Sequence, residues 1–308
     1  MEIHSSIDTF LPTSDIVLTL GVFDGVHAGH RQLIMSLDQK AQWTQSASVL
    51  LSFDPHPREV LQSDLGLKYL TTSTEKIRLL GGTGLQHLII HPFTEAFAAL
   101  SSEDFVRDLL LKRLRMKSLI IGHDHRIGQG RQGSYQQLKE LAAMYGFELE
   151  QLSVYKIGSQ VVSSTEIRKT LLNGNLSWAN QALGYPYVIS GRIVQGDRFG
   201  RKLGFPTANV QVPPKKLLPR YGVYAVKADL RGQDHMGMLN VGIRPTVGGL
   251  DTRVEVHLFD FDEIVYNEVV FIQLIRRIRE EKRFDTLEAL KVQLQQDEKA
   301  VRVIFADE

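Results

Sequence analysis

The sequence predicts an α/β domain with a parallel sheet, followed by a small antiparallel β-barrel that ends in one helix. Up to about residue 183, strand-like apolar runs alternate with helical patterns, which is typical of a parallel sheet with helices on both faces. After that point, short strand-like runs follow one another without helices. Glycine and proline interrupt both patterns at residues 184–186. We therefore expect domains at residues 1–183 and 184–308.

The first half contains four short runs rich in valine, isoleucine and leucine, which predict buried strands. They lie at residues 15–20, 48–53, 87–92 and 118–122, and the helical patterns lie at 30–42, 74–80, 103–114 and 135–145. We expect Ser101 to cap the third helix, because a serine hydroxyl can accept a hydrogen bond from a free backbone N–H at a helix start. Ligands of such sheets bind beyond the carboxyl ends of the strands.

The second half predicts five strands separated by turns that contain glycine, proline or aspartate. They lie at residues 187–194, 223–228, 236–241, 253–259 and 269–276, and a helical pattern follows at 286–304. This arrangement predicts the barrel and its terminal helix.

Composition limits the class of protein. The chain has 308 residues, 43% hydrophobic and 23% charged, with a net charge of +1 and no cysteine. These are values of an ordinary globular protein, and without a basic run we expect neither nucleic acid nor a membrane as partner. The lack of cysteine excludes disulfides and agrees with a cytoplasmic location. We also expect no signal peptide and no membrane span, whereas the sequence leaves the protein partners and the oligomeric state open.

The segment GVFDGVHAGH at residues 21–30 connects the first predicted strand to the first helix. Its glycines are four residues apart, which fits neither the dinucleotide fingerprint nor the P-loop. A glycine-rich turn at a helix start still favours an anion, and His27 and His30, three residues apart, could donate hydrogen bonds to phosphate oxygens. A plain connector with two solvent-facing histidines explains the spacing equally well, whereas a metal site has little support.

A second helix start is predicted at SSTEIR, residues 163–168. Ser163 and Glu166 have the spacing of a capping box. Ser164, Thr165 and Arg168 could then bind the same anion as the first turn, through hydroxyls, amides and a guanidinium. The alternative is an ordinary capped helix on the surface.

The second half has a candidate metal site and a candidate base. Thr207 and Asn209, in GRKLGFPTAN at residues 200–209, would face one side of an extended segment and could bind Mg²⁺ beside ATP phosphates. A turn-rich connector is the alternative. Glu255 lies between two valines, so it would need a reason to point inward, although an outward-facing surface residue is the more common case.

Several motifs, in order, resemble those of bacterial bifunctional FAD synthetases. In the first half they are GVFDGVHAGH at 21–30, FDPHP at 53–57, GHDHRIGQGRQG at 122–133 and SSTEIR at 163–168. In the second half GRKLGFPTAN at 200–209, NVGIRPT at 240–246 and REEKRF at 279–284 resemble riboflavin kinase motifs. The resemblance implies a Rossmann-like nucleotidyltransferase domain of the HxGH superfamily, followed by a riboflavin kinase barrel.

The resemblance also implies site residues. For ATP and its phosphates they are Gly21, Phe23, Asp24, Gly25, His27, His30, Ser163, Ser164, Thr165 and Arg168, and in the second domain Gly200, Lys202, Gly204, Pro206, Thr207 and Asn209. For the flavin they are Asp54, Pro55, Pro57, Asp124, Arg126, Arg131, Asn240, Arg279 and Phe284. Glu255, His27 and His30 are the implied catalytic residues, and Thr207 and Asn209 the implied metal ligands.

The implied reactions are phosphorylation of riboflavin by Mg-ATP to FMN, then transfer of AMP from a second ATP to FMN, giving FAD and pyrophosphate. The substrates are thus the small molecules riboflavin, FMN and ATP. His125 and Ile127 stand where the family has phenylalanine. An active kinase whose first domain has an altered or lost flavin specificity is therefore the alternative. A nucleotide-binding regulator without turnover is a third, although it would need neither a base such as Glu255 nor a metal ligand.

Overall fold

A computed structural model describes residues 1–62, 66–123, 134–196, 200, 203–246 and 249–306, with the backbone alone at 244–246 and 249–251. These residues form two compact units. The first consists of Met1–Leu67 and Lys76–Ser163, and the second of Lys68–Glu75 and Ser164–Glu308. No helix within the described ranges has the length and hydropathy needed to cross a membrane.

The first unit is built on a six-stranded parallel sheet in the order β1-β4-β3-β2-β5-β6. Its strands are β1 Glu2–His4, β2 Ile16–Leu20, β3 Ala47–Phe53, β4 His87–His91, β5 Met116–Ile121 and β6 Glu148–Gln151. The predicted fold class is confirmed for this half. β1 and β6 were not predicted, because their short sequences EIH and ELEQ alternate polar and apolar residues at the edges of the sheet.

Both faces of this sheet are buried. Leu18 and Leu51 pack into an apolar cluster on one face, whereas their neighbours Val17 and Leu50 pack into a separate cluster. Successive strand residues point to opposite faces, so each strand contributes to two cores. This explains why the central strands read as continuous apolar runs, as parallel strands do.

Helices connect the strands of the first unit. They are α1 Ala28–Trp43, α2 Pro57–Leu61, α3 Ser73–Gly81, α4 Glu95–Ala98, α5 Ser102–Asp104 with a π-helical continuation Phe105–Arg113, and α6 Tyr135–Tyr145, and of α3 the first three residues are counted in the second unit. The predicted cap is confirmed, because Asp104 N donates to Ser101 Oγ at 3.0 Å. A two-stranded ribbon, β7 Lys156–Ile157 and β8 Gln160–Val161, precedes the next helix.

The second unit contains a closed antiparallel barrel in the order β10-β13-β12-β11-β14-β9. Its strands are β9 Tyr187–Val194, β10 Ala208–Gln211, β11 Gly222–Leu230, β12 Gln233–Thr246, β13 Gly249–Leu258 and β14 Val269–Arg279, and the C-terminal helix is Leu287–Ala306. The predicted barrel and terminal helix are confirmed. Strand β10 was missed, because its sequence ANVQ follows a stretch rich in glycine and proline.

Two helices before the barrel, α7 Ser164–Leu172 and α8 Leu176–Leu183, also belong to the second unit. The Asn180 side chain holds α8 against the barrel, since it donates to Leu274 O at 2.9 Å and accepts from Tyr187 N at 2.8 Å. The domain boundary at residue 184 stays a prediction, because only folding of the separate segments would test it.

The segment Lys68–Glu75 is part of the second unit and carries a buried ion pair. Lys216 Nζ lies 2.7 Å from Glu75 Oε2, and the two side chains are 0% and 1% exposed. Glu75 Oε1 accepts from Ser190 N at 2.7 Å, and Lys216 Nζ lies 4.3 Å from the centre of the Tyr187 ring. The segment thus supplies the partner of a buried lysine in the unit that holds the barrel.

Candidate active sites

The glycine-rich turn of the first unit lies at the carboxyl end of β2, where ligands of parallel sheets bind. Gly25 has a φ of +85°, a conformation that glycine adopts without strain. His27 is the N-cap of α1, and its Nδ1 accepts from His30 N at 3.3 Å. Neutral His27 therefore carries its proton on Nε2, the nitrogen that can donate to a phosphate.

The two histidines predicted to act together are stacked. Their ring centres are 3.6 Å apart with an interplanar angle of 15°, and Phe23 stacks on His30 at 4.5 Å. A Cβ at Gly29 would lie 3.4 Å from the His27 ring and 3.3 Å from Tyr155 Cβ. Glycine between the histidines thus gives the imidazoles the room to stack.

The environment of His30 keeps its imidazole neutral. Removal from water, together with the nearby charges of His27 and Lys76, holds the pKa of His30 well below its ordinary value. Its Nδ1 atom is buried and has no hydrogen-bond partner among the described residues. Such a ring is a polar group held in place before substrate arrives.

Lys76 was not singled out from the sequence, and it lies beside the same turn. The residue is 9% exposed, and its Nζ is 3.5 Å from Ser52 Oγ. Burial lowers the pKa of Lys76, although the carboxylates of Asp24 and Asp54 act in the opposite direction. One signal was available: Lys76 is four residues before the fully buried Leu80 on the same helix, so both face the sheet.

The predicted residues 54–57 lie at the end of β3, the strand beside β2. The two strand ends are joined directly, since Gly21 N donates to Leu51 O at 3.0 Å and Ser52 Oγ donates to Val22 O at 3.3 Å. Asp54 and Pro55 are exposed and joined by a cis peptide bond, and Pro57 is the first residue of α2. The FDPHP motif and the histidine turn therefore share one edge of the sheet.

Some predicted site residues lie outside the described residues. These are Asp124, Arg126 and Arg131, the departures His125 and Ile127, and Lys202 of the second unit. Their predicted roles stay predictions.

Helix α7 begins at Ser164, directly after Ser163, as its motif predicts. Within the second unit, Arg168 Nε donates to Lys68 O at 3.1 Å. Arg168 thus has a structural contact with the backbone, and Thr165 is exposed in the first turn. That these residues bind ATP phosphates, and that this helix start meets the histidine turn, stay predictions.

Three predicted residues of the barrel share one register row. Asn209 on β10 is opposite Glu255 on β13, and Glu255 is opposite Asn240 on β12. Directly opposite residues of an antiparallel pair point to the same face, so the metal-ligand, base and flavin candidates lie side by side. Arg253 Nη1 lies 3.4 Å from Glu255 Oε1, and the Glu255 side chain is 26% exposed.

Two glycines before β10 are in close contact with other residues. A Cβ at Gly196 would lie 1.9 Å from Asn209 Nδ2, and a Cβ at Gly200 would lie 2.1 Å from Phe205 O. Thr207 is exposed one residue before β10, and Pro206 O lies 2.7 Å from Nδ1 of the buried His257. These close approaches explain why glycines precede the two oxygen-bearing residues.

The last two motifs of the second half also meet. A Cβ at Gly242, in NVGIRPT, would lie 2.0 Å from Oε1 of Glu281, in REEKRF. Arg279 donates to the buried Asp297 of the C-terminal helix at 2.7–2.9 Å, and its Cζ is 5.9 Å from the centre of the Phe284 ring. Arg279 therefore anchors this helix, while the flavin contacts of Arg279, Phe284 and Asn240 stay predictions.

Comparison with known proteins agrees with both halves. The family model of FAD synthetase matches residues 11–166, and that of riboflavin kinase matches residues 183–305. A bifunctional riboflavin kinase/FMN adenylyltransferase of Escherichia coli K12 is 39% identical over 96% of this chain and 94% of its own. The chain belongs to the bifunctional riboflavin kinase/FMN adenylyltransferase family. This confirms the resemblance in the motifs.

Other members of the family have similar coverage. The Listeria monocytogenes enzyme is 36% identical over 94% of this chain and 92% of its own. A solved structure named Macrolide-efflux Protein, from Streptococcus pneumoniae, is 29% identical, with a TM-score of 0.89 over 98% of both chains. The similarity of fold covers both the FAD synthetase match and the riboflavin kinase match. The word efflux describes the Streptococcus pneumoniae protein.

Proposed function

We propose that the chain phosphorylates riboflavin to FMN in its barrel and adenylylates FMN to FAD in its α/β unit. The register row of Asn209, Glu255 and Asn240 supports the first assignment, because three strands bring the candidate base and two candidate polar ligands side by side. The stacked histidines beside Lys76 support the second. Since both reactions use ATP, we place the protein in the cytoplasm.

In the kinase reaction, Glu255 accepts the proton of the ribityl 5′-hydroxyl as that oxygen attacks the γ-phosphate of ATP. The new P–O bond gives FMN, and ADP leaves. Exposure of 26% leaves the Glu255 carboxylate open to a substrate, while its place in the barrel keeps it oriented.

A magnesium ion fits this part of the barrel. Thr207 offers a hydroxyl and Asn209 an amide oxygen, and both are hard oxygen donors of the kind Mg²⁺ binds together with substrate phosphates. Bound there, the ion would neutralise charge on the transferred phosphoryl group. Gly196 leaves room for the Asn209 side-chain amide, because a Cβ at that position would overlap it.

In the adenylyl transfer, the phosphate of FMN attacks the α-phosphorus of ATP, and pyrophosphate leaves without a covalent enzyme intermediate. Charge develops on the α-phosphate oxygens and on the leaving group. His27 Nε2–H, the neutral His30 and the Lys76 ammonium supply donors for this charge from a site that is already organised. His30 does not need to transfer a proton in this step.

A time course tests the proposal. The protein is incubated with riboflavin and Mg-ATP, and riboflavin, FMN and FAD are separated over time. FMN should appear first and FAD should follow at its expense. If FMN accumulates without FAD, the alternative of an altered or lost flavin specificity in the first unit is correct, and if neither forms, the chain is a binder without turnover.

A further inference from the structure

Three side chains at the edge of the parallel sheet bring metal-binding atoms together, away from both candidate sites. Glu2 and His4 are two residues apart on β1, and β4 places His87 directly opposite Glu2. Residues two apart on a strand share a face, so all three side chains lie on one side of the sheet. The FAD synthetase family match begins at residue 11, after Glu2 and His4.

The distances among the three atoms match a tetrahedral ion. His4 Nε2 and His87 Nδ1 are 3.3 Å apart, His87 Nδ1 and Glu2 Oε2 are 3.4 Å apart, and His4 Nε2 and Glu2 Oε2 are 4.0 Å apart. Ligands about 2.0–2.1 Å from a tetrahedral zinc ion are separated by about 3.3 Å. Each pair is therefore at or within about 0.7 Å of the spacing that one bound ion needs.

The imidazole rings are already oriented. Phe10, which is 3% exposed, packs edge-on against His4 with ring centres 4.9 Å apart, and it packs at a tilt against His87 with ring centres 5.2 Å apart. The histidine side chains are only 18% and 22% exposed, whereas that of Glu2 is 74% exposed. The rings form a preorganised pair, and the carboxylate side of the cluster is open to water.

A single proton does not satisfy this cluster. One hydrogen bond can join the two ring nitrogens, but the Glu2 oxygen then faces the lone pair of one of them. A cation accepts lone pairs from all three atoms at once. Among the described residues, Glu2, His4 and His87 form a group whose three potential ligand atoms all lie within 4.8 Å of one another.

We propose that Glu2, His4 and His87 form a zinc site that clamps β1 to the sheet. Two imidazoles and one carboxylate are ligands that Zn²⁺ accepts, and the fourth position would hold water. Strand β1 has three residues and lies at the edge of the sheet, where it pairs with β4. Bonds from β1 and from β4 to the same ion would therefore oppose fraying of β1.

Binding of Zn²⁺ to the full-length chain without an affinity tag, after dialysis against a chelator, tests the site. Co²⁺ serves as the spectroscopic probe. The wild type should bind one Zn²⁺ that is lost in His4→Gln and in His87→Gln, and Zn²⁺ should slow amide exchange in residues 2–4. His235→Gln, which removes a histidine of the barrel, should bind like the wild type.

Glu2→Gln is the variant expected to fold normally, because the Glu2 side chain is largely exposed. It should have the metal-free melting temperature of the wild type and bind Zn²⁺ at least about tenfold more weakly, since loss of a ligand costs no less than loss of a group that orients one. The site is refuted if the wild type binds no Zn²⁺, or if the His4→Gln and His87→Gln variants bind it with unchanged stoichiometry and affinity.

Discussion

At the residue scale, the histidine turn has a buried lysine beside it that is not part of the GVFDGVHAGH motif. Lys76 is buried beside Ser52, near the carboxylates of Asp24 and Asp54. A buried lysine is unfavourable unless it has a partner or a ligand. The two carboxylates favour its charged form, and an anionic substrate would add a further partner, so we expect Lys76 to bind a phosphate of ATP.

Lys76→Met should therefore lower kcat for FMN adenylylation by about a hundredfold or more, as expected for loss of one organised donor. Riboflavin phosphorylation should remain within about twofold of the wild type, since Lys76 belongs to the other unit. Lys139→Met, an exposed lysine of α6, is the matched control. An unchanged adenylylation rate in Lys76→Met would assign this lysine a purely structural role.

His30 should make the free energy of unfolding decrease as the pH falls. Its pKa is below the ordinary value of 6.5 in the folded protein, so below pH 6.5 the unfolded chain binds more protons. The contribution of His30 to stability is complete above pH 6.5 and falls as the pH decreases. Between pH 7.5 and 5.5 the wild type should lose more stability than His30→Asn, by up to about 1.4 kcal/mol, which is the limit for a histidine protonated only in the unfolded chain. Urea unfolding at both pH values measures this, and equal losses would show that His30 does not titrate as described.

At the element scale, the sequence predicted the elements that have a clear apolar pattern of their own. Helix α6 and strand β9 have the predicted bounds, 135–145 and 187–194, because each has one clear apolar pattern. Edge strands β1 and β6 alternate polar residues, and β10 gains its conformation from pairing with β9 and β13. Such pairing is a long-range effect, which a local pattern does not contain.

The close approach of Gly196 to Asn209 on β10 gives a test of the metal site. In Gly196→Ala, the new Cβ would overlap the Asn209 amide and displace its oxygen. The Mg²⁺ concentration needed for riboflavin phosphorylation should rise about 10- to 100-fold, as for loss of a group that orients a ligand.

FMN adenylylation by the same Gly196→Ala protein serves as the internal control. Gly82→Ala, where a Cβ meets nothing within 4 Å, should behave like the wild type. A normal Mg²⁺ requirement in a folded Gly196→Ala protein would remove Asn209 from the set of ligands.

At the scale of the whole molecule, the sequence did not predict that residues 68–75 belong to the second unit. Glu75 reads as an ordinary residue of a helix start, and only the tertiary structure pairs it with Lys216. Removal of one member of a buried ion pair leaves the other charge unpaired. We therefore expect the stability of the second unit to depend on a segment outside the predicted 184–308 domain.

Lys216→Met should destabilise the second unit by about 3–5 kcal/mol, and the double variant Glu75→Gln with Lys216→Met should recover much of this loss. The chain has two tryptophans, Trp43 in the first unit and Trp178 in the second. In a Trp43→Phe background, fluorescence during urea unfolding therefore follows the second unit. Equal destabilisation by the single and double variants would contradict a coupled buried pair.

The most direct test of two separate sites is a crossed assay of Glu255→Gln and His30→Ala, each given riboflavin or FMN with Mg-ATP. Glu255→Gln should make no FMN from riboflavin, yet convert FMN to FAD within a few-fold of the wild type. His30→Ala should accumulate FMN and form FAD about 100- to 1000-fold more slowly. Glu288→Gln, an exposed glutamate of the C-terminal helix, should leave both rates unchanged. If either of the first two variants, folded, loses both reactions, the two activities do not belong to separate sites.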